Sequence, residues 1–290
     1  MIFVGLGLLL GFSMGMALGL LGAGGSIMTV PILVYFFGVQ PLVATAYSLL
    51  IVGLVALAGA IRYWSKHLVS LRSVLLFAVP AMCSVFIARS YLIPHLPDPM
   101  FHIGTLTVGK NEAIMLLFGL LMCLSAVFMS RERTDTTQPL SVPISWKQML
   151  LLGICSFAIG LLTGLVGAGG GFLIVPALIG VFKLPVKVAV GTSLSIIAIN
   201  SLVGFNGDLL AGLSVDWQLL SALLATTLTG MVLGTSLSKK IDASKLSKLF
   251  ALFVFCIGLT VIGEEIWMIY GLPSSATIFH QYVLSFVDSY

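Results

Sequence analysis

Charge is what this chain has least of. Only 8% of its 290 residues are Asp, Glu, Lys or Arg, whereas 59% are hydrophobic. A soluble domain carries about 25% charged residues to cover its wet surface. So few charges cannot do that, and most of this surface must face lipid. The recognisable catalytic patterns are missing too: there is no HExxH, no Ser-His-Asp set and no carboxylate pair, which argues against an enzyme. No catalytic residue, metal site or cofactor is expected. Cys83, Cys123, Cys155 and Cys256 show no CxxC spacing and lie in apolar runs, as small packing residues do. Residues 1–21 have no basic leader, so they read as a retained element rather than a signal peptide. No nucleic-acid motif accompanies the net charge of +4, which suits contact with anionic lipid head groups.

What is present is a duplication. An offset of 145 residues aligns Gly15 with Gly160, Gly19 with Gly164, and Gly22-Ala23-Gly24-Gly25 with Gly167-Ala168-Gly169-Gly170, followed by Val30-Pro31 with Val175-Pro176. Ten of the nineteen positions 15–33 are identical in this register. The same offset pairs Ala44 with Ala189, Ser48-Leu49 with Ser193-Leu194, and Gly59 with Gly204. Such self-similarity marks two copies of one unit. The units are residues 1–129 and 148–290, joined by a polar, proline-broken linker at 130–147 that is expected to be cytoplasmic.

Each unit has five apolar segments, at about 2–21, 26–37, 43–61, 73–91 and 113–129, then 148–166, 172–182, 188–206, 217–237 and 249–270. The segment after each glycine turn reaches about 18 Å, short of the roughly 30 Å hydrocarbon core. The expected fold is therefore an all-α polytopic membrane protein. Each repeat holds three full spans and a re-entrant or broken helical hairpin, for eight to ten membrane segments in total. Lys and Arg cluster at 62–72, at the linker, at 183–187 and at 238–248. Placing these in the cytoplasm gives each half an odd number of crossings, so the repeats are expected to be inverted, with both termini non-cytoplasmic. His95, Asp98 and His102 then fall on an outer loop with no third metal ligand near.

Inverted repeats place substrate sites at broken helices near the midplane. A short helix is expected to begin near Ser26 and near Phe172, and its unpaired N–H groups and dipole suit an anion. Glycine at the turn allows φ > 0 and close approach of a ligand. The candidate substrate residues are Gly22, Ala23, Gly24, Gly25, Ser26, Gly167, Ala168, Gly169, Gly170 and Gly171, with the hydroxyls of Thr45, Ser48, Thr192 and Ser193 and the amide of Asn200. The run Gly7, Gly11, Gly15, Gly19 reads as a packing seam. Arg89 is expected to snorkel to the interface, Glu264 and Glu265 to lie near the surface, and no acid to sit deep in a span.

These residues also resemble a known family. The Gly-Leu-Leu-Gly-Ala-Gly-Gly-Ser stretch before Val30-Pro31, its second copy from Gly164 through Gly171 to Val175-Pro176, and Ala189-Val190-Gly191-Thr192-Ser193-Leu194 are similar to the TauE/SafE sulfite exporters. The resemblance implies a transporter of the bacterial inner membrane that moves sulfite or organosulfonates, commonly outward. It also implies that the glycine turns and the second-half Thr-Ser pair touch substrate. The first half has Thr45-Ala46-Tyr47-Ser48 where the second has Val190-Gly191-Thr192-Ser193, so the two halves need not contribute equally. Another small anion or a neutral solute is the alternative cargo. The expected partners are that substrate and the lipid bilayer, with no nucleic acid, and a homodimer is one arrangement open to the chain.

Overall fold

The computed structural model describes residues 2–21, 26–103, 106–130, 146–167, 169–180, 184–237 and 243–270. The first half forms α1 (Ile2–Leu21), α2 (Ser26–Phe36), α3 (Pro41–Trp64), α4 (Leu71–His95) and α5 (Lys110–Ser130). The second forms α6 (Trp146–Val166), α7 (Gly171–Gly180), α8 (Val186–Leu210), α9 (Trp217–Leu237) and α10 (Ala243–Ile269). A two-stranded antiparallel ribbon, β1 (Phe101–Ile103) and β2 (Leu106–Val108), joins α4 to α5, with Phe101 opposite Val108. Six helices, α3, α4, α5, α8, α9 and α10, contain stretches long and apolar enough to cross a membrane. Leu75, Val79, Leu120, Leu233 and Leu252 are exposed on their outer faces. Trp64, Trp217, Trp267 and Tyr270 are exposed near helix ends, where aromatic side chains favour a bilayer interface.

Local chemistry starts and stops these helices. Pro41 occupies the first turn of α3, where its missing N–H costs nothing. The Ser70 hydroxyl caps α4 by accepting from Ser73 N at 3.4 Å. Asp216 caps α9, its Oδ1 accepting from Gln218 N at 3.0 Å and Leu219 N at 3.1 Å. Helix α2 is irregular: a 3₁₀ turn at residues 26–28 passes through Thr29–Pro31 into a π-helical turn at Ile32–Phe36. Its counterpart α7 is a regular α-helix.

Close glycine contacts give the helix directions. Gly53 of α3 lies against Leu202 of α8, Gly59 against Leu194, and Gly204 against Leu49, so α3 and α8 run antiparallel. Shifting by 145 residues turns the contact Gly59–Leu194 into Gly204–Leu49 with the helices exchanged. On α1, Gly11, Gly15 and Gly19 meet Leu223, Thr227 and Met231 of α9, so those helices run parallel. Gly160 and Gly164 of α6 meet Ala81 and Val85 of α4 in the same sense. Gly119 of α5 meets Ile262 of α10 and Gly258 meets Cys123, again antiparallel. Gly11, Gly15 and Gly19 of the α1 run thus form a packing seam, as their spacing implies.

The loops repeat the exchange. Ser70 N, just before α4, donates to Thr192 Oγ1 on α8 at 3.0 Å. Asp216 N, just before α9, donates to Tyr47 Oη on α3 at 2.7 Å. Positions 47 and 192 are 145 apart, and 70 and 216 nearly so. Each bond docks one half's loop on the other half's central helix. Tyr47→Phe and Thr192→Val should each cost about 1 kcal/mol, the net worth of one hydrogen bond. The two losses should add in a detergent melt, because the sites share no partner.

Helix directions also sort the charges. The ends of α3, α5, α7 and α9 lie on one side of the bundle, with the starts of α4, α6, α8 and α10. Arg62, Lys66, Arg72, Lys187 and Lys248 belong to these ends. The opposite side carries Asp98, Glu112, Asp208, Asp216, Glu264 and Glu265, with Arg89 and Lys110 among them.

Candidate functional site

The second glycine turn is where the backbone departs furthest from ordinary geometry. Gly167, Gly169 and Gly170 have φ of +73°, +66° and +71°, a region in which a side chain would be strained. Gly167 rests on the backbone of Thr45, one turn into α3. Gly169 faces Val52 of α3 and Ile197 and Ser201 of α8. The Gly170 carbonyl accepts from Leu173 N and Ile174 N, both at 3.0 Å, so α7 starts at Gly171. The turn therefore wedges between the two antiparallel central helices, from the first turn of α3 to its middle. Ala168 and the whole first turn, Gly22, Ala23, Gly24 and Gly25, lie outside the described residues. Ser26 follows that turn and is fully buried.

Thr45 of α3 and Ser201 of α8 touch the second turn, and further polar groups are buried on the same two helices. Thr45 and Ser48 are fully buried on α3, as is Ser201 on α8, with Asn200 beside it at 2% exposure. Ser48 Oγ, Ser201 Oγ and both amide atoms of Asn200 have no hydrogen-bond partner among the described residues. Apolar burial of such groups costs about 1–3 kcal/mol each unless they are satisfied. Thr192 and Ser193 form a separate group near the other end of α8. Thr192 holds the loop before α4, while Ser193 Oγ donates to Val190 O at 2.8 Å. The candidate hydroxyls thus divide between the two ends of the α3–α8 pair.

One residue corrects the sequence reading outright. Arg89 does not snorkel: it is the largest wholly buried side chain among the described residues. The helix opens into a π-helical turn at Ala88–Leu92, and such turns often mark functional sites. Gly207 of α8 packs close to Arg89 Cβ, and Gly164 of α6 packs against Ala88, which together close the route to the surface. Arg89 Nη1 donates to Thr45 Oγ1 at 3.0 Å and to the Asp208 carboxylate at 3.2 and 3.4 Å. Its partner Asp208 is buried as well, though not deep in the span. It lies in the last turn of α8 and is 8% exposed. An ion pair inside a membrane bundle satisfies two groups that lipid cannot.

Glu265 needs a second correction. It is 1% exposed rather than superficial, because the end of α2 brings Tyr35 to it, Oη to Oε1 at 3.5 Å. A further correction concerns cysteine. Cys83 and Cys256 are exposed on the outer faces of their helices rather than packed within. No group of three His, Cys, Asp or Glu able to hold a metal occurs among the described residues, and His95 Nδ1 pairs with Tyr91 O at 2.8 Å.

A bundle with apolar outer faces, and with irregular polar backbone buried between its central helices, is built to carry a solute. The family model for the sulfite exporter TauE/SafE matches residues 7–261. The chain belongs to the TauE/SafE family. A probable membrane transporter protein of Xylella fastidiosa (strain 9a5c) is 35% identical over 262 residues, which is 86% of this chain and 90% of that one. The probable membrane transporter protein YunE of Bacillus subtilis is 27% identical, covering 89% of this chain and 97% of its own length. A probable membrane transporter protein of Haemophilus influenzae is 28% identical over 89% of this chain and 98% of that one. No solved structure matches the chain. As a TauE/SafE protein the chain is a multi-pass membrane transporter and not an enzyme.

Proposed function

We propose that this TauE/SafE transporter moves small sulfur oxyanions, such as sulfite or an organosulfonate, outward across the bacterial inner membrane. Its two halves act as inverted repeats, each contributing three spans and a hairpin. Support for inversion comes from the antiparallel α3–α8 and α5–α10 contacts and from the exchange of equivalent residues between halves. The basic ends would face the cytoplasm by the positive-inside rule, leaving both termini outside. The first hairpin then enters from outside and the second from inside.

The observation that carries the anion reading is the wedge of the second glycine turn against α3 and α8. Thr45 and Ser201 touch it, Ser48 and Asn200 are buried on the same helices, and Arg89 is the one buried guanidinium among the described residues. Hydroxyls, amides and a single buried cation suit an oxyanion better than a neutral solute. The test is flux of sulfite, thiosulfate and methanesulfonate into vesicles holding the purified chain. Transport of at least one of them above empty vesicles is expected, and transport of none overturns the reading.

Asn200→Leu gives a sharper result. As a near-isosteric apolar group, leucine removes two buried polar atoms that lack partners, so stability should rise by about 1–3 kcal/mol. Flux should fall about tenfold if the amide serves the anion's path, as loss of one hydrogen bond predicts. A variant that is more stable and equally active would remove Asn200 from the site.

A further inference from the structure

Arg89 uses only part of its hydrogen-bonding capacity. Nη1 serves both Thr45 and Asp208, whereas Nε and Nη2 are buried with no partner among the described residues. Those two nitrogens form one edge of the guanidinium, with parallel N–H groups spaced to receive two oxygens of one anion. Ser90 Oγ, on the next residue, and Ser48 Oγ, one turn along α3 from Thr45, also have no partner among the described residues. The repeat does not duplicate this arrangement. At the offset of 145, Gly234 corresponds to Arg89 and Tyr63 to Asp208. Gly234 is packed against the backbone of Met16 in the α1–α9 seam, with no room for a side chain.

We propose that Arg89 is the substrate-holding residue: its Nε–Nη2 edge takes two oxygens of a sulfite or sulfonate group. Asp208 keeps Nη1 and acts as a resident competing anion. This rests on the reading of the chain as a small-anion transporter and assigns its binding cation. Asp208 supplies the chemistry of release. A bare buried guanidinium would hold an oxyanion too firmly to let it go, and the neighbouring carboxylate repels the substrate's negative charge and balances Arg89 between cycles. Because only one half carries the pair, the described residues hold one such site, displaced from the centre of the α3–α8 contact toward the start of α3.

The experiment uses the full chain in detergent and in vesicles, with sulfite and methanesulfonate as probes and dimethyl sulfone as the neutral control. Wild-type flux decides whether the chain carries these anions at all, and the variants decide the role of Arg89. Arg89→Gln with Asp208→Asn removes both charges together, so it should fold, yet bind sulfite about 10–100-fold more weakly, as loss of a charged hydrogen-bonding partner predicts. Arg89→Lys keeps the charge without the fork and should fall between that variant and wild type. Asp208→Asn should melt lower without anion, gain a larger thermal shift from sulfite than wild type does, and turn over more slowly. If wild type carries sulfite while the double variant keeps an unchanged Kd, Arg89 is structural and the proposal fails with transport intact. It fails in the same way if sulfite does not restore the melting point of Asp208→Asn.

Discussion

Gly15→Leu should cost this fold about 3 kcal/mol or more, at the upper end of what overpacking does. Gly15 lies where α1 and α9 touch backbone to backbone, its missing side chain facing the Thr227 carbonyl. The contact is reciprocal: Gly230 and Gly234 of α9 meet the carbonyls of Phe12 and Met16 on α1. A backbone obstacle cannot rotate away as a side chain can. The helices must therefore separate along the whole seam and lose dispersion contacts between every facing pair. Association in lipid has no hydrophobic drive to compensate, since lipid tails are as apolar as leucine. Gly153→Leu is the control, because nothing lies within 4 Å of where its Cβ would be. A thermal melt in detergent should find Gly153→Leu close to wild type and Gly15→Leu well below it. Equal melting of the two would mean that the α1–α9 contact does not hold the bundle together.

That seam was legible because it depends on spacing within one helix. The same holds for the segments: all ten apolar runs became helices within a few residues, and the offset of 145 placed α1 to α4 over α6 to α9. The offset fails at the last pair, where the β1–β2 ribbon occupies chain that the second half lacks. The runs alone could not reveal α2's π-helical turn, because apolar composition is indifferent to whether the hydrogen bonds step by four residues or five.

The candidate site was less legible, for a different reason. Its polar atoms come from both halves, and their meeting depends on the register of α3 against α8. Position alone made Arg89 look interfacial, eighteen residues beyond the start of α4. What encloses it is the close approach of Gly164 and Gly207, each of which reads as one more glycine among 31. One signal was available: Asp208 is the sole acid in α8, and an acid in a span calls for a basic partner from a neighbouring span. Thr192 has a role its motif position did not reveal. Its motif position suggested substrate, and the fold employs its hydroxyl to hold the loop before α4.

The Arg89–Asp208 pair makes the second large prediction. Arg89→Met should cost about 3–5 kcal/mol, the usual penalty for leaving the other member of a buried pair uncompensated. The double variant Arg89→Met with Asp208→Leu should recover most of that loss, since well-packed apolar groups can replace a buried ion pair at little cost. The asymmetry arises because desolvation of each charge persists after its partner has gone, whereas removing both abolishes the penalty. Here the effect should be large: Arg89 is wholly enclosed, with Asp208 and Thr45 its only hydrogen-bond acceptors among the described residues. Denaturation of wild type, both single variants and the double variant closes the cycle, with an expected coupling of about 2 kcal/mol or more for groups in direct contact. Additive losses would show that the two charges are stabilised independently, and the pair would then contribute nothing to holding α4 against α8.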